Sequence, residues 1–150
     1  MTTIAVPEEV QQAARLRRRR DIDDIDYRRA LRAIREKGYS QRRVADALGI
    51  SQSALSQQLR GLDAVEPPRE GFSGATPLEV CQRYAAGFID RDQLIDELTR
   101  WPYAKRGKTD GFDGLAVDPP GTWGDVTKAL RDGLIDAETY DQVLDTFNER

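Results

Sequence analysis

Residues 40–61 constrain the fold of this chain more than any other segment. Two stretches with helical patterning, 41–48 and 52–60, flank a single glycine, Gly49, and a serine that can cap a helix precedes each of them. This pattern predicts two short helices that cross steeply around a tight turn. Gly49 supplies the positive φ that such a turn needs, and Ala45 is small enough for close contact between the helices.

The two predicted helices have clearly different faces. We expect the inner face to be apolar, with Val44, Leu48, Ile50 and Leu55. The outer face of the second helix is polar and almost uncharged, and it carries Gln52, Ser53, Ser56, Gln57 and Arg60. An ordinary solvated face in a chain with 33% charged residues would carry Lys and Glu, whereas Gln pairs with adenine in the major groove. The face therefore indicates DNA recognition, and the alternative is a helical hairpin of another all-α domain.

The opening Ser-Gln-x-x-Val-Ala-Asp at Ser40, the central Gly49 and the Gln-Ser pair at Gln52 resemble the lambda-repressor-like, or Xre-type, helix-turn-helix family. The resemblance implies a compact helical bundle over residues 21–62 and insertion of the second motif helix into the major groove of double-stranded DNA. It implies that the base-reading residues are Gln52, Ser53 and Gln57. It also implies that Gln41 binds a phosphate and braces Gln52, and that Arg60 reaches the DNA backbone. Arg42 and Arg43 lie near the N-terminus of the first motif helix, close to where a phosphate would pass, and with Ser56 they are further candidate backbone contacts.

Gln58 departs from the family pattern, which usually has an apolar residue at that position. In this chain the apolar residue, Leu59, follows one position later. Two explanations are open. Either the second motif helix packs differently on its bundle, or the last helix of the family bundle is missing. The second explanation would also remove the surface that the family often uses for dimerisation.

Charge is distributed unevenly along the chain. Residues 1–60 contain 13 basic and 8 acidic residues, a balance of +5, whereas residues 61–150 contain 10 and 18, a balance of −8. The acidic half is therefore not expected to face DNA. The absence of histidine excludes His-dependent catalytic triads, and the one cysteine, Cys81, has the helical spacing of a buried apolar residue. We expect no enzyme activity, no metal and no cofactor.

The remaining patterns predict an all-α chain: an N-terminal helix-turn-helix bundle and a small C-terminal domain of two helical hairpins. The predicted divisions are a DNA-binding domain at 1–62, a linker at 63–75 and an acidic partner or oligomerisation domain at 76–150. Upstream of the motif we expect two helices, one over residues 7–20 and one that begins at Asp21 or Asp23 and runs to Lys37.

The C-terminal half contains an internal repeat, since residues 84–98 align with residues 130–144. In each copy a glycine, Gly87 or Gly133, ends one helix and an aspartate, Asp90 or Asp136, caps the next. Two hairpins that pack together are the expected result. The repeated pattern resembles SHOCT-type short helical hairpins.

Two further segments have open roles. The basic run Arg17, Arg18, Arg19 and Arg20 is either an arm on DNA phosphates or a solvated helix end. The long loop 102–121 is irregular, and residues 101–108 mix aromatic with basic side chains. Those aromatics either stack on bases or an acidic peptide, or anchor the loop on the hairpins.

Together these features predict a cytoplasmic transcriptional regulator without a membrane segment, a repressor that binds its operator as a homodimer. The alternative is the antitoxin of a toxin–antitoxin pair, in which the motif autoregulates the operon and the acidic half binds the toxin protein.

Overall fold

The computed structural model describes residues 6–104 and 120–149. Every regular element in these ranges is helical, so the all-α prediction is confirmed. The elements are α1 (Glu8–Lys37), α2 (Gln41–Leu48), α3 (Gln52–Leu59), a 3-10 turn (Leu62–Ala64), α4 (Pro77–Ala85), α5 (Arg91–Arg100), α6 (Gly124–Arg131) and α7 (Ala137–Asn148). None of the described helices is long and apolar enough to cross a membrane.

The prediction of two helices upstream of the motif is wrong, because α1 continues without a break for 30 residues. Asp21 and Asp23 can cap helices, but capping residues are also tolerated inside a helix when nothing else interrupts it. No glycine or proline occurs between Glu8 and Lys37, and Gly38, with φ +71°, is the first residue that ends the run.

The chain packs as two units, of which the first is Arg20–Pro67, here called the motif unit. Its small core consists of buried Leu31, Ala45, Leu55, Leu62 and Val65, with Val44, Ile50 and Leu59 partly buried against them. Leu48, which we expected inside, is 37% exposed. It ends α2, and helical periodicity alone does not tell whether a neighbouring element covers the last turn.

The second unit, here called the hairpin unit, comprises the described residues up to Arg19 and from Pro68 onward. The two predicted hairpins, α4–α5 and α6–α7, are present and pack together through α4 against α6 and α5 against α7. Gly87 and Gly133 have φ values of +86° and +76°. The carboxylates of Asp90 and Asp136 accept the amides of Gln93 and Thr139, in the first turns of α5 and α7, at 2.8 and 2.7 Å, so both predicted caps are confirmed.

The hairpin core is apolar and includes the cysteine. Cys81 is fully buried beside Val80, Leu94, Leu98 and Val126, which confirms its prediction as a core residue. Trp101 is 3% exposed and meets Phe72 edge-on with a centroid distance of 4.6 Å.

Residues 105–119 of the long loop 102–121 lie outside the described residues, and so do the basic residues of the 101–108 segment. At its beginning, the Tyr103 ring lies 5.2 Å from Trp123 and 5.7 Å from Phe147, centroid to centroid. The described aromatics therefore anchor the chain on the hairpins, as one of the two explanations predicts.

Two parts of the predicted linker 63–75 are packed. Val65 belongs to the core of the motif unit. In the hairpin unit, Ser73 donates its hydroxyl to the buried Glu97 carboxylate at 2.6 Å. The predicted domain boundaries stay predictions.

Candidate nucleic-acid interface

The turn between α2 and α3 is closed by backbone hydrogen bonds. Gly49, with φ +73°, donates to the Asp46 carbonyl at 3.2 Å, and Ile50 donates to the Ala45 carbonyl at 3.0 Å. A residue other than glycine is strained at this φ. Where the two helices meet, Ala45 and Leu55 are both 1% exposed. The tight turn and the close contact between the helices that the sequence predicts are thus present.

Helix α3 begins with a hydroxyl cap, as predicted. The Ser51 side chain accepts the Ala54 amide at 3.1 Å and lies 3.2 Å from the Ser53 hydroxyl. The cap satisfies one of the free amides of the first turn and fixes the direction in which α3 leaves the turn. The N-terminal turn of α3, which carries Gln52, is therefore rigidly placed.

Two of the three glutamines of α3, Gln52 and Gln57, lie on its outer face without an internal partner among the described residues. Gln52, Ser53, Gln57 and Arg60 are exposed and Ser56 is half-buried, whereas Leu55 faces the core. Within the described part of the chain, no hydrogen bond or ion pair engages the side chains of Gln52, Gln57 or Arg60. Their amide and guanidinium groups are available to a ligand.

The beginning of α2 differs from the prediction in two respects. Ser40 occupies the capping position, but its hydroxyl accepts no hydrogen bond from α2. Gln41, Arg42 and Arg43 are exposed there. The predicted brace between Gln41 and Gln52 is not formed among the described hydrogen bonds. The uncapped amides, at the positive end of the helix dipole, can receive an anion.

Three other arginines of the motif unit are engaged internally. Arg29 donates to the Glu66 carbonyl at 2.9 Å, Arg32 donates to the Val65 carbonyl, and Arg35 donates to the Leu59 carbonyl at 3.1 Å. Sequence reasoning missed this arrangement. Their spacing of three residues on α1 is the only signal in the sequence, and it does not show what the arginines bind. Arg42, Arg43 and Arg60 have no ion pair among the described residues.

Comparison with known families decides the type of this motif. The family model HTH_3, described as helix-turn-helix and of the Xre or lambda-repressor-like type, matches residues 29–68. Residues 29–68, 40 of the 150 residues, are thus similar to an Xre-type helix-turn-helix. No curated protein and no solved structure matches the chain.

The Xre-type motif supports a DNA-binding transcription regulator, and its family is one of regulators rather than enzymes. The matched residues include the end of α1, both motif helices and the 3-10 turn. They include none of the four hairpin helices. The resemblance of the hairpins to SHOCT-type modules stays a prediction.

The structure accommodates Gln58, the residue that departs from the family pattern, at the surface of the motif unit. Gln58 is exposed, and Leu59 is the residue that packs on the core. The apolar contact is thus made one residue later than the family pattern expects, which agrees with the altered packing that we considered. The Gln58 amide oxygen instead accepts the Tyr27 hydroxyl of α1 at 2.6 Å.

The basic run upstream of the Xre-type motif is largely solvent-facing. Arg17, Arg19 and Arg20 are exposed and Arg18 is half-buried. Within the hairpin unit, the Arg19 guanidinium carbon lies 5.1 Å from the centre of the Phe88 ring, a cation–π distance. Arg19 thus has a partner inside its own unit.

Proposed function

We propose that the chain is a sequence-specific repressor that reads the major groove with α3. The exposed, uncharged face of α3, whose Gln52 and Gln57 side chains have no hydrogen-bond partner among the described residues, carries this proposal. In this role Gln52, Ser53 and Gln57 contact base edges. Glutamine matches the donor and acceptor pair of adenine, so we expect A·T pairs in the recognised sequence.

The second part of the proposal concerns the DNA backbone. Gln41, Arg42, Arg43, Ser56 and Arg60 bind phosphates on either side of the groove. The exposed arginines without internal carboxylate partners support this role, since an arginine already paired would first have to leave its partner. Arg17, Arg18 and Arg20 can add salt-dependent affinity, whereas Arg19 is held by Phe88.

We further propose that two copies bind a repeated operator. A homodimer places two recognition helices one DNA turn apart, which doubles the number of base pairs read. Occupation of the operator excludes other proteins from that DNA, and repression follows. Sedimentation of the free and DNA-bound protein will give the number of copies in each state.

The test of base reading is the double variant Gln52→Ala with Gln57→Ala in the full chain. A duplex enriched by the wild type from a randomised library serves as the specific probe, and a scrambled duplex of equal composition as the nonspecific probe. Each lost bidentate contact costs about 1–3 kcal/mol, so the loss of two should reduce discrimination by at least about thirtyfold. Gln142→Ala, at an exposed glutamine of α7, is the matched control.

Arg42→Ala tests the phosphate contacts by a different measurement. It is expected to weaken binding of both duplexes alike and to reduce the slope of log affinity against log salt by about 1. If the glutamine variant keeps the wild-type preference between the two duplexes, the assignment of α3 as the reading helix is wrong.

One observation favours the antitoxin alternative. Four exposed acidic residues lie at helical spacing, Glu138, Asp141 and Asp145 on α7 and Glu149 at its C-cap, and no described ion pair neutralises them. A uniformly acidic helix face in a separately packed unit fits a basic protein partner, such as a toxin. Asp141→Lys with Asp145→Lys should abolish co-purification of such a partner and leave DNA binding intact. Retention of the partner by this variant would contradict the assignment.

A further inference from the structure

A polar contact between Tyr27 and Gln58 lies next to the apolar contact of Leu59, at the end of the recognition helix. The Tyr27 hydroxyl donates to the Gln58 amide oxygen at 2.6 Å, and both side chains are at least partly exposed to solvent. Helix α3 has eight residues and fully buries only Leu55. Beside it, Leu59 is only partly buried against the core. Such limited burial restrains the rotation of a short helix about its own axis poorly, so contacts at its surface carry more weight.

The neighbouring residue is held from the same side. One guanidinium nitrogen of Arg35 donates a hydrogen bond to the Leu59 carbonyl at 3.1 Å, and another donates one to the Asp63 carboxylate at 2.8 Å. Two side chains of α1 therefore hold two successive residues at the C-terminal end of α3. The Ser51 cap holds the opposite end.

We propose that Tyr27 and Arg35 are positioning residues that fix the rotation of α3 and thereby set its sequence preference. The inference rests on the proposed role of α3 in base reading. Gln57 and Gln58 are adjacent on the helix, so a restraint on Gln58 also fixes the direction in which Gln57 leaves it. Base-reading side chains need placement to within about 0.5 Å, and a loosened helix keeps its phosphate contacts more easily than its base contacts.

The test removes one oxygen atom. Tyr27→Phe in the full chain deletes the hydroxyl and keeps the ring. With the enriched and scrambled duplexes as probes, we expect about a fivefold loss of affinity for the enriched duplex, the size of one hydrogen bond, and no change for the scrambled one. Tyr84→Phe, in the hairpin unit, is the matched control, because its hydroxyl has no partner among the described hydrogen bonds.

A second pair of variants separates positioning from stability. Gln58→Leu alone should lose discrimination as Tyr27→Phe does, and the two together should lose no more than either one, because they remove the same contact. Arg35→Lys keeps the charge but not the two-pronged geometry, and the same loss of discrimination is expected. Thermal midpoints of all variants are measured in parallel, so that any loss of folded protein can be subtracted.

The outcomes distinguish this inference from the proposed function. If Tyr27→Phe, Gln58→Leu and Arg35→Lys keep wild-type discrimination while Gln52→Ala with Gln57→Ala loses it, α3 reads bases but the positioning role is wrong. If the three variants weaken both duplexes equally, the contacts only stabilise the fold, and the inference is again overturned. If the glutamine variant also keeps its discrimination, the proposed function itself fails.

Discussion

The buried thiol of Cys81 makes the hairpin unit sensitive to alkaline pH. Its side chain is 0% exposed, and burial, followed by the nearby negative charge of Asp125, raises the pKa of this thiol from 9.0 to about 12. In the unfolded chain the thiol regains its ordinary pKa. Because the folded state holds this proton more tightly, there is a pH range in which only the unfolded chain loses it. In that range the free energy of unfolding falls as the pH rises. Stability is therefore complete below pH 9 and falls as the pH rises toward 12.

The size of the effect follows from the two pKa values. At pH 10 the unfolded thiol, with a pKa of 9.0, is about nine-tenths ionised, whereas the folded thiol, with a pKa of about 12, is about one-hundredth ionised. The difference corresponds to about 1.4 kcal/mol of unfolding free energy lost between pH 8 and pH 10. That loss is a sizeable part of the stability of a small domain.

The assay compares urea unfolding of the wild type and Cys81→Ala at pH 8 and pH 10, followed by tryptophan fluorescence, since the described tryptophans Trp101 and Trp123 lie in the hairpin unit. The alanine variant leaves a small cavity whose cost does not depend on pH. Tyrosine and lysine ionise in both proteins, so their contribution cancels. The unfolding free energy of the wild type should fall by about 1.4 kcal/mol more than that of the variant. An equal fall in both proteins would show that the thiol is not held protonated by the fold.

Three substitutions test the local geometry by thermal unfolding. Gly49→Ala should cost about 1–2 kcal/mol because φ is +73° there, and Ala47→Gly, in the adjacent α2, serves as comparison for backbone entropy alone. Gly74→Ala should cost about 1–3 kcal/mol, since its new Cβ would lie 2.9 Å from the Glu79 side chain; an unchanged midpoint would mean that Glu79 moves freely. Asp136→Ala should cost about 1 kcal/mol through the lost cap of α7, and Asp136→Asn should restore most of it.

The parts of the fold that the sequence predicts best are those determined by neighbouring residues. The bounds of α2, the turn at Gly49 and the cap at Ser51 follow from signals within a few positions of one another. Ser40 shows the limit of this reasoning, because the residue type fits a cap but its hydroxyl accepts no bond from α2. Which of several local hydrogen bonds a serine makes depends on contacts that the residue type does not specify.

Contacts between distant residues were not predictable in the same way. Tyr27 and Gln58 are 31 positions apart and both lie at the surface, so neither periodicity nor burial marks them as partners. The sequence did identify Gln58 as a departure from the family pattern. A polar residue at a position that is usually apolar indicates that something nearby differs, but the partner is found only once α1 and α3 are placed side by side.

The structure extends the internal repeat upstream of the residues that align. In the first copy the Ala75 amide donates to the Glu79 carboxylate at 3.2 Å, and in the second the Gly121 amide donates to the Asp125 carboxylate at 3.1 Å. Both pairs span four residues, and their positions differ by the same 46 residues as the aligned segments. The two hairpins thus share this amide–carboxylate bond as well as their central glycine and aspartate cap, although the bonded residues differ in identity.

The two hairpins differ at the position where the first one, α4–α5, is hydrogen-bonded to the segment that precedes it. Glu97 is 2% exposed, and the residue 46 positions later is Val143, which is fully buried. A buried carboxylate destabilises a fold unless it is hydrogen-bonded, so an apolar residue is the simpler choice for this position. In the first copy, however, the carboxylate oxygens accept both the amide and the hydroxyl of Ser73. The buried charge is explained by this contact: it fixes the segment that leads into α4, at a position where the second copy has only a core residue.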